Sequence, residues 1–329
     1  TNATTGNGAD FGDLNNSIWI QMSSSDSHAG IEAYDPRLIP AGSGRALFGG
    51  GYSPAAPAAT TKIDYLEIPS LGNATDFGDL TNEKGGLGTM GASSTRALFG
   101  GGYDRSPADY HDAIESIAFH SKGNTADFGN LSADRYACSG LSSTTRGIMG
   151  GGLTAHPSSQ LNIVEYVTIA TTGDVTDFGN LTESKHFLGS LSSSTRGVWA
   201  GGGTPTKSDV IDYITIASTG DNTDFGDMTT TKSRLCSQAS SNLRGIIFGG
   251  YDSPAGVATI DYITIASTGN AGDFGDLTAA RYDVAGTSNQ TRAIAGGGLT
   301  PIQNTIEYVT IASTGDAADF GDLTGPNKD

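Results

Sequence analysis

The sequence predicts an all-β protein assembled from six copies of one four-stranded unit, and three observations predict it. A phrase of arginine, three or four apolar residues and paired glycines recurs six times. Its arginines are 51, 50, 50, 48 and 48 residues apart, a period typical of propeller blades. Glycine accounts for 48 of the 329 residues, which suits many tight turns. A second phrase, clearest at residues 211–216 and 260–265, is rich in β-branched and aromatic residues.

Each unit predicts four strands in a fixed order. The innermost strand lies in a Ser/Thr-rich segment such as residues 182–195, because small side chains fit around a central axis. The second strand begins at the arginine and ends at the glycines, and the third is the Ile-Asp-Tyr phrase. After a Ser-Thr-Gly turn, Asp-Phe-Gly forms the outer, fourth strand. We expect its phenylalanine to fill the core and its aspartates to cap turn amides.

Stacking the units in a ring would bury the faces of every sheet, so we expect a six-bladed β-propeller of four-stranded antiparallel blades. A seventh Asp-Phe-Gly copy and a long first repeat make seven blades the alternative. The leucine two positions after each Asp-Phe-Gly copy, a methionine at residue 228, is here called the phrase leucine. In the first repeat it lies 31 residues before the next phrase arginine, against 15 or 16 residues elsewhere. Residues 1–42 are therefore predicted as a surplus N-terminal strand and an insertion at 15–41, and residues 43–329 as one propeller domain. Residues 1–14 resemble the end of a repeat, which suggests a piece of a longer polypeptide.

The charge balance restricts the partners. The chain has 18 Lys and Arg against 35 Asp and Glu, a net charge of −17, which disfavours binding to a nucleic-acid backbone. No run approaches eighteen apolar residues, so no membrane insertion is predicted. Cys138 and Cys236 occupy similar positions in non-neighbouring repeats, so each is predicted to be unpaired and buried.

Each third strand carries an acid that shares a face with isoleucines, so the acid is expected to be buried and to need a cation. The phrase arginine of the adjacent second strand is the predicted partner, because its fork suits a carboxylate. The predicted structural ion pairs use Arg45, Arg96, Arg146, Arg196, Arg244 and Arg292 with Asp64, Glu115, Glu165, Asp212, Asp261 and Glu307.

A second set of basic residues follows the phrase leucine by four positions and is expected to ring one mouth of the central channel. It would bind an anion or acidic glycan there or, alternatively, form a solvated rim that counters nearby acids. The set consists of Lys84, Arg135, Lys185, Lys232 and Arg281.

The loops between second and third strands differ in every repeat and are expected on the same face as the basic ring. Aromatic rings on loops over a rigid scaffold suit sugars or peptides. The ligand-binding candidates are Lys84, Arg135, Lys185 and Arg281 with Tyr52, Tyr103, Tyr136, His186, Tyr251 and Tyr282, and Tyr110 gathers with them. For Tyr52, Tyr103 and Tyr251, packing against the glycine turn is the alternative.

No catalytic residue, metal site or cofactor is predicted. The histidines lack metal-ligand spacing, no serine nucleophile elbow occurs, and the Asp-Phe-Gly copies lack the other motifs of a kinase. Asp-rich turns such as residues 221–227 leave calcium as an alternative, because hard cations need several oxygen ligands.

An apolar strand that ends in Gly-Gly, followed by a strand with a tyrosine, resembles the kelch repeat of β-propellers over residues 43–323, although the kelch tryptophan is missing. The sequence of residues 264–278 resembles repeats of virion structural and tail-fibre-like proteins of marine cyanophages. This second resemblance implies a non-enzymatic attachment role at a virion or extracellular surface. The expected partners are a host glycan, a host surface protein or other virion subunits. A polysaccharide-active enzyme and a purely architectural fibre spacer are the alternatives.

Overall fold

The computed structural model shows an all-β chain. It describes residues 22–25, 45–50, 61–67, 75–86, 88–93, 95–105, 108–154, 159–204, 206–235, 239–288, 292–296, 298 and 305–322. Within these ranges no helix is long and apolar enough to cross a membrane.

Antiparallel sheets follow one another along the described chain. The first three comprise β1 (Met22–Ser25), β2 (Arg45–Gly49), β3 (Lys62–Glu67) and β4 (Thr75–Asp79); β5 (Gly88–Ala92), β6 (Arg96–Gly100), β9 (Ala113–Ala118) and β10 (Ala126–Asn130), with β7 (Tyr103–Arg105) and β8 (Ala108–Tyr110) as a separate hairpin; and β11 (Ser139–Ser142), β12 (Arg146–Gly150), β13 (Ile163–Thr168) and β14 (Thr176–Asn180).

The last three sheets repeat this arrangement. They comprise β15 (Gly189–Ser192), β16 (Arg196–Ala200), β17 (Val210–Thr215) and β18 (Thr223–Asp227); β19 (Ala239–Ser240), β20 (Arg244–Phe248), β22 (Ala255–Thr264) and β23 (Gly272–Arg281), with β21 (Tyr251–Asp252) beside β22; and β24 (Ala285–Ser288), β25 (Arg292–Gly296), β26 (Thr305–Thr310) and β27 (Ala318–Asp322). The strands that the repeat predicted are therefore present in the described part of the chain.

Each sheet has two different ends. Its strands pair in chain order as an antiparallel meander, so the first-to-second and third-to-fourth connections share one end, which we call the hairpin end. The variable second-to-third loops and the connections into the next sheet share the other, which we call the loop end. The extra residues of the first repeat fall at a hairpin end, since residues 26–44 separate β1 from β2 whereas only residues 143–145 separate β11 from β12.

The core lies between neighbouring sheets. In the junction of the second and third sheets, Phe128 and Leu131 pack in one buried cluster with Met149 and Val167, and similar clusters occupy the other described junctions. Phe128 is the extra residue of a β-bulge, because Asp127 pairs with Glu115 while the second residue after it pairs with the next position on β9. The bulge turns the ring inward and leaves it 2% exposed, which confirms its expected place in the core.

Backbone hydrogen bonds join the fourth strands of neighbouring sheets. At the junction of the third sheet, the Gly173 amide donates to the Phe128 carbonyl at 2.7 Å, and the Asn130 amide donates to Asp174 Oδ1 at 2.9 Å. This approach requires glycine at position 129, where φ is +153° and an ideal Cβ would lie 2.2 Å from the Gly173 oxygen. The aspartate of the following turn therefore caps an amide of the preceding sheet.

Serine hydroxyls link the first strands of consecutive sheets. Each donates to a backbone carbonyl at the equivalent position of the sheet before: Ser192 to Ser142 at 3.2 Å, Ser240 to Ser192 at 3.1 Å and Ser288 to Ser240 at 2.8 Å. Ser142 begins the series with Ala92 as its acceptor, at 3.2 Å. Small residues are required on these strands because the backbones of neighbouring sheets approach closely here.

Candidate binding surface at the loop end

Buried ion pairs lie beneath the loop end. Lys84 Nζ lies 2.6 Å from Glu115 Oε1, Lys185 Nζ lies 2.8 Å from Asp212 Oδ2, and the other described repeats have equivalent pairs. Those pairs are Arg135 with Glu165, Lys232 with Asp261, and Arg281 with Glu307. In the first four pairs the cation lies in the connection between two sheets, and in the fifth Arg281 is the last residue of β23. In every pair the acid belongs to the third strand of the later sheet.

The predicted partner of these acids is wrong. The phrase arginines do not pair with the third-strand acids in the described repeats, and the reason is register. Arg146 lies opposite Thr168, whereas Glu165 lies opposite Met149, three positions along the ladder. Because side chains alternate between faces, an odd offset puts the arginine and the acid on opposite faces of the sheet. The side chains of Arg45 and Asp64 lie outside the described part.

The predicted basic ring at a channel mouth is also wrong. Its members are at most 1% exposed and are neutralised inside the molecule: Lys84, Arg135, Lys185, Lys232 and Arg281. A buried cation requires a nearby carboxylate, and the third-strand acid meets that requirement. These residues therefore act as scaffold, and the four that were ligand candidates do not face a ligand.

Threonines after the phrase leucine complete these carboxylate sites. Thr81 donates its hydroxyl to Glu115 Oε1 at 2.7 Å and its amide to Oε2 at 2.8 Å. Burial raises the pKa of the Glu115 carboxyl, but the charge of Lys84 and the hydrogen bonds from Lys84, Thr125 and Thr81 outweigh it. The pKa of Glu115 consequently lies below its ordinary value.

The buried ion pairs and the threonines that contact them form what we call the platform. Above it, partly exposed aromatic rings form a continuous band that we call the aromatic arc. Tyr103, Tyr110 and Tyr136 form a triad with ring centroids 4.8–5.5 Å apart. Tyr136 then meets the edge of Phe187 at 6.1 Å. The arc consists of Tyr103, Tyr110, Tyr136, His186, Phe187, Tyr251 and Tyr282, none of them fully buried.

Arg234 joins the two halves of the aromatic arc. Its guanidinium lies 5.6 Å from the centroid of Phe187 and 4.9 Å from that of Tyr282, which in turn contacts Tyr251 at 5.2 Å. Arg234 is fixed by a two-pronged ion pair to Asp283, with Nε–Oδ1 at 3.2 Å and Nη2–Oδ2 at 2.5 Å. The arc therefore spans several sheets with one cation at its centre.

The backbone under the arc adopts an unusual conformation. Ala137, Phe187, Arg234 and Asp283 all have φ between +50° and +55°, a region that side chains other than glycine's seldom occupy. The amide of Phe187 donates to the Ala137 carbonyl at 2.9 Å, and that of Asp283 to the Arg234 carbonyl at 3.2 Å, so this position links one sheet to the next. The repetition of a strained geometry marks a position whose side chains are held in fixed directions.

The structure brings together most of the predicted aromatic candidates. Tyr103, Tyr136, His186, Tyr251 and Tyr282 all belong to the arc, while Tyr52 lies outside the described residues. Sequence reasoning missed Phe187, Arg234 and Asp283. Phe187 and Asp283 directly follow the aromatic candidates His186 and Tyr282, and Arg234 occupies the equivalent position of its own repeat. These positions are their one sequence signal.

Carboxylates and cysteines complete the description of this end. Burial, followed by the charges of Asp112 and Asp109, raises the pKa of the Asp134 carboxyl. No group of three or more metal-ligating side chains occurs among the described residues. Cys138 is buried and unpaired, as expected, and Cys236 falls outside the described ranges.

Comparison with known proteins finds no matching family model and no matching curated sequence.

Proposed function

We propose that the chain is a six-bladed, kelch-like β-propeller whose loop end binds a glycan or protein at a virion or cell surface, without catalysis. Support for the ring comes from the succession of similar sheets, with an apolar core in each described junction and the first strands linked in order. A sheet that packs against a neighbour on each face is the arrangement of blades in a propeller.

The aromatic arc is the observation that carries the proposed binding role. A tyrosine ring offers an apolar face and a polar tip, which suits a ligand with both apolar and hydroxyl surfaces, such as a sugar. Partly exposed rings in contact with one another also form a surface that is rigid before the ligand arrives, since each ring is held by its neighbours. We therefore favour a glycan over a protein as the ligand.

A glycan array probed with the full chain tests this function. We expect saturable binding without product formation, weakened at least about tenfold by Tyr136→Ala and by Tyr282→Ala, which lie in different halves of the arc. Thr176→Ala, an exposed change on β14, is the control and should bind as the parent chain does.

The alternatives give different results in the same assay. Product release from a bound glycan would establish a polysaccharide-active enzyme. Silence on the array from a correctly folded chain would contradict glycan binding and favour an architectural spacer. Binding that both tyrosine variants retain would place the ligand elsewhere than on the arc.

A further inference from the structure

Four phrase arginines at the hairpin end, Arg96, Arg146, Arg196 and Arg244, carry charges that no described carboxylate neutralises. Each donates Nη1 to an isoleucine carbonyl of the next sheet. The distances are 3.1 Å for Arg96 to Ile169, 2.8 Å for Arg146 to Ile216, 2.7 Å for Arg196 to Ile265 and 3.0 Å for Arg244 to Ile311. Across the described chain these four form no ion pair, although the protein carries a net charge of −17.

An aromatic ring fixes most of these guanidinium groups from one side. Arg146 lies 4.6 Å from the centroid of Tyr166, Arg196 lies 4.4 Å from that of Tyr213, and Arg244 lies 4.8 Å from that of Tyr262. A guanidinium has five N–H donors, and within the described residues one donor per arginine is used on protein. The remaining donors are therefore held in place before any ligand arrives, on side chains that are partly exposed.

Two of the arginines line clefts between neighbouring sheets. A cleft of about 340 Å³ is bounded by Ser143, Thr144, Thr145, Arg146, Ser194, Ile216 and Ala217. A second cleft, of about 330 Å³, is bounded by Ser93, Thr95, Arg96, Thr144, Ile169 and Ala170. No carboxylate is among the described residues that line either cleft. Both clefts thus combine a guanidinium with several hydroxyl groups, and Thr144 belongs to both.

We propose that these hairpin-end clefts bind a compact oxyanion, a sulfate or phosphate group, with the arginine fork as the main contact and the hydroxyls as further donors. A planar fork with several free donors matches such an anion in geometry and in charge. The overall negative charge of the chain repels a long polyanion. Salt screens this repulsion over a Debye length, so a single anionic group in a cleft is the favoured ligand. The anion could be a free ion or an ester group on a sugar.

This site is independent of the aromatic arc, because the two lie at opposite ends of the sheets. It also uses the repeated cations that remain available to an external ligand, since the second basic set, including Lys185 and Arg281, is neutralised in buried pairs. Failure of glycan binding at the loop end would leave this proposal standing, and its own failure would leave the loop end unaffected.

Titration of the full chain with sodium sulfate at constant ionic strength, followed through the arginine Nε–Hε signals in NMR, tests the proposal. We expect saturable shifts in the signals of Arg96 and Arg146. Thr144→Val removes one hydroxyl from both clefts and should weaken sulfate binding about two- to tenfold. Arg146→Lys keeps the charge but loses the fork, and should abolish the saturable shifts of the backbone amide signals of Thr145 and Ser194, which line only that cleft. The matched control, Thr176→Val, removes an exposed hydroxyl from β14 and should change nothing.

A second titration with galactose 6-sulfate distinguishes the two sources of the anion. Tighter binding of the ester than of inorganic sulfate would identify a sulfated sugar, while equal affinity would identify the free ion, and both support an oxyanion site. Shifts that do not saturate, or saturable shifts that Thr144→Val and Arg146→Lys leave unchanged in folded protein, would overturn the proposal.

Discussion

The loop end and the hairpin end of the same repeat are held together in different ways. At the loop end, where the sequence varies most, each described junction contains a carboxylate and a cation that are almost completely buried. At the hairpin end, where the sequence repeats, a partly exposed arginine donates to a backbone carbonyl and packs on a tyrosine. The difference indicates that the fixed interactions lie directly beneath the variable loops, so that loop residues can change without loss of the platform.

The largest expected effect is a difference in unfolding free energy between a variant that breaks a buried ion pair and one that removes a phrase arginine. Asp212→Ala removes the buried carboxylate of Lys185 and leaves only the partly exposed Glu183, 3.8 Å from Lys185 Nζ, and breaking such a buried pair costs about 3–5 kcal/mol. Arg196→Ala removes one hydrogen bond to a carbonyl and the contacts of a partly exposed side chain with two rings, Tyr213 and Phe225, which we expect to cost about 1–2 kcal/mol. Urea unfolding of both variants, followed by circular dichroism, measures the two free energies.

The control for this comparison is Asp209→Ala, a partly exposed change close to Asp212 in sequence, which should stay within about 0.5 kcal/mol of the parent chain. An Arg196→Ala variant that loses as much stability as Asp212→Ala would show that the hairpin end is fastened as firmly as the loop end. That result would contradict the division of the repeat into a rigid platform and a lighter hairpin end.

A smaller effect is expected where the fourth strands of two sheets touch. Gly226 and Gly269 have nearly equal φ values, +141° and +147°, but different surroundings. An ideal Cβ at Gly226 would lie 2.5 Å from the Gly269 carbonyl carbon, whereas one at Gly269 would have nothing within 4 Å. Gly226→Ala should therefore be about 1–3 kcal/mol less stable than Gly269→Ala in urea unfolding. Equal losses would mean that φ alone, and not the close approach, requires glycine.

The sequence predicted the strands and the buried phenylalanine because both depend on local pattern. A period of about fifty residues, β-branched runs and glycine pairs each reflect the chemistry of one short segment. Ion-pair partners depend instead on register across two strands, which the hairpin geometry sets and composition does not reveal. Both basic sets were recognised, but the acids were assigned to the wrong one. Arg146 and Glu165 are an odd number of ladder positions apart and therefore lie on opposite faces of the sheet. The set predicted to be exposed is the one buried beside the acids.

The aromatic surface could be predicted only in part, for a related reason. Tyr103, Tyr136, Tyr251 and Tyr282 were identifiable because they lie in variable loops or connections that share one end of a meander. The residue at the positive-φ position is Ala, Phe, Arg or Asp in different repeats, so it follows no pattern of composition. Arg234 therefore gave no sequence signal of its place between two rings.

The smallest expected effect concerns the pH dependence of one buried pair. Since the folded pKa of Glu115 lies below its ordinary value of 4.5, its ionisation contributes stability above that pH, and this contribution is lost as the pH falls through the folded pKa. The difference in unfolding free energy between the parent chain and Glu115→Gln should thus be largest near pH 7 and shrink below pH 4.5. Lys84→Met removes the charge and the hydrogen bond that lower the pKa of Glu115 most, so this variant should lose less stability than the parent chain on acidification. A Glu115→Gln difference that stays constant with pH would mean that the pair stabilises the loop end through packing rather than charge.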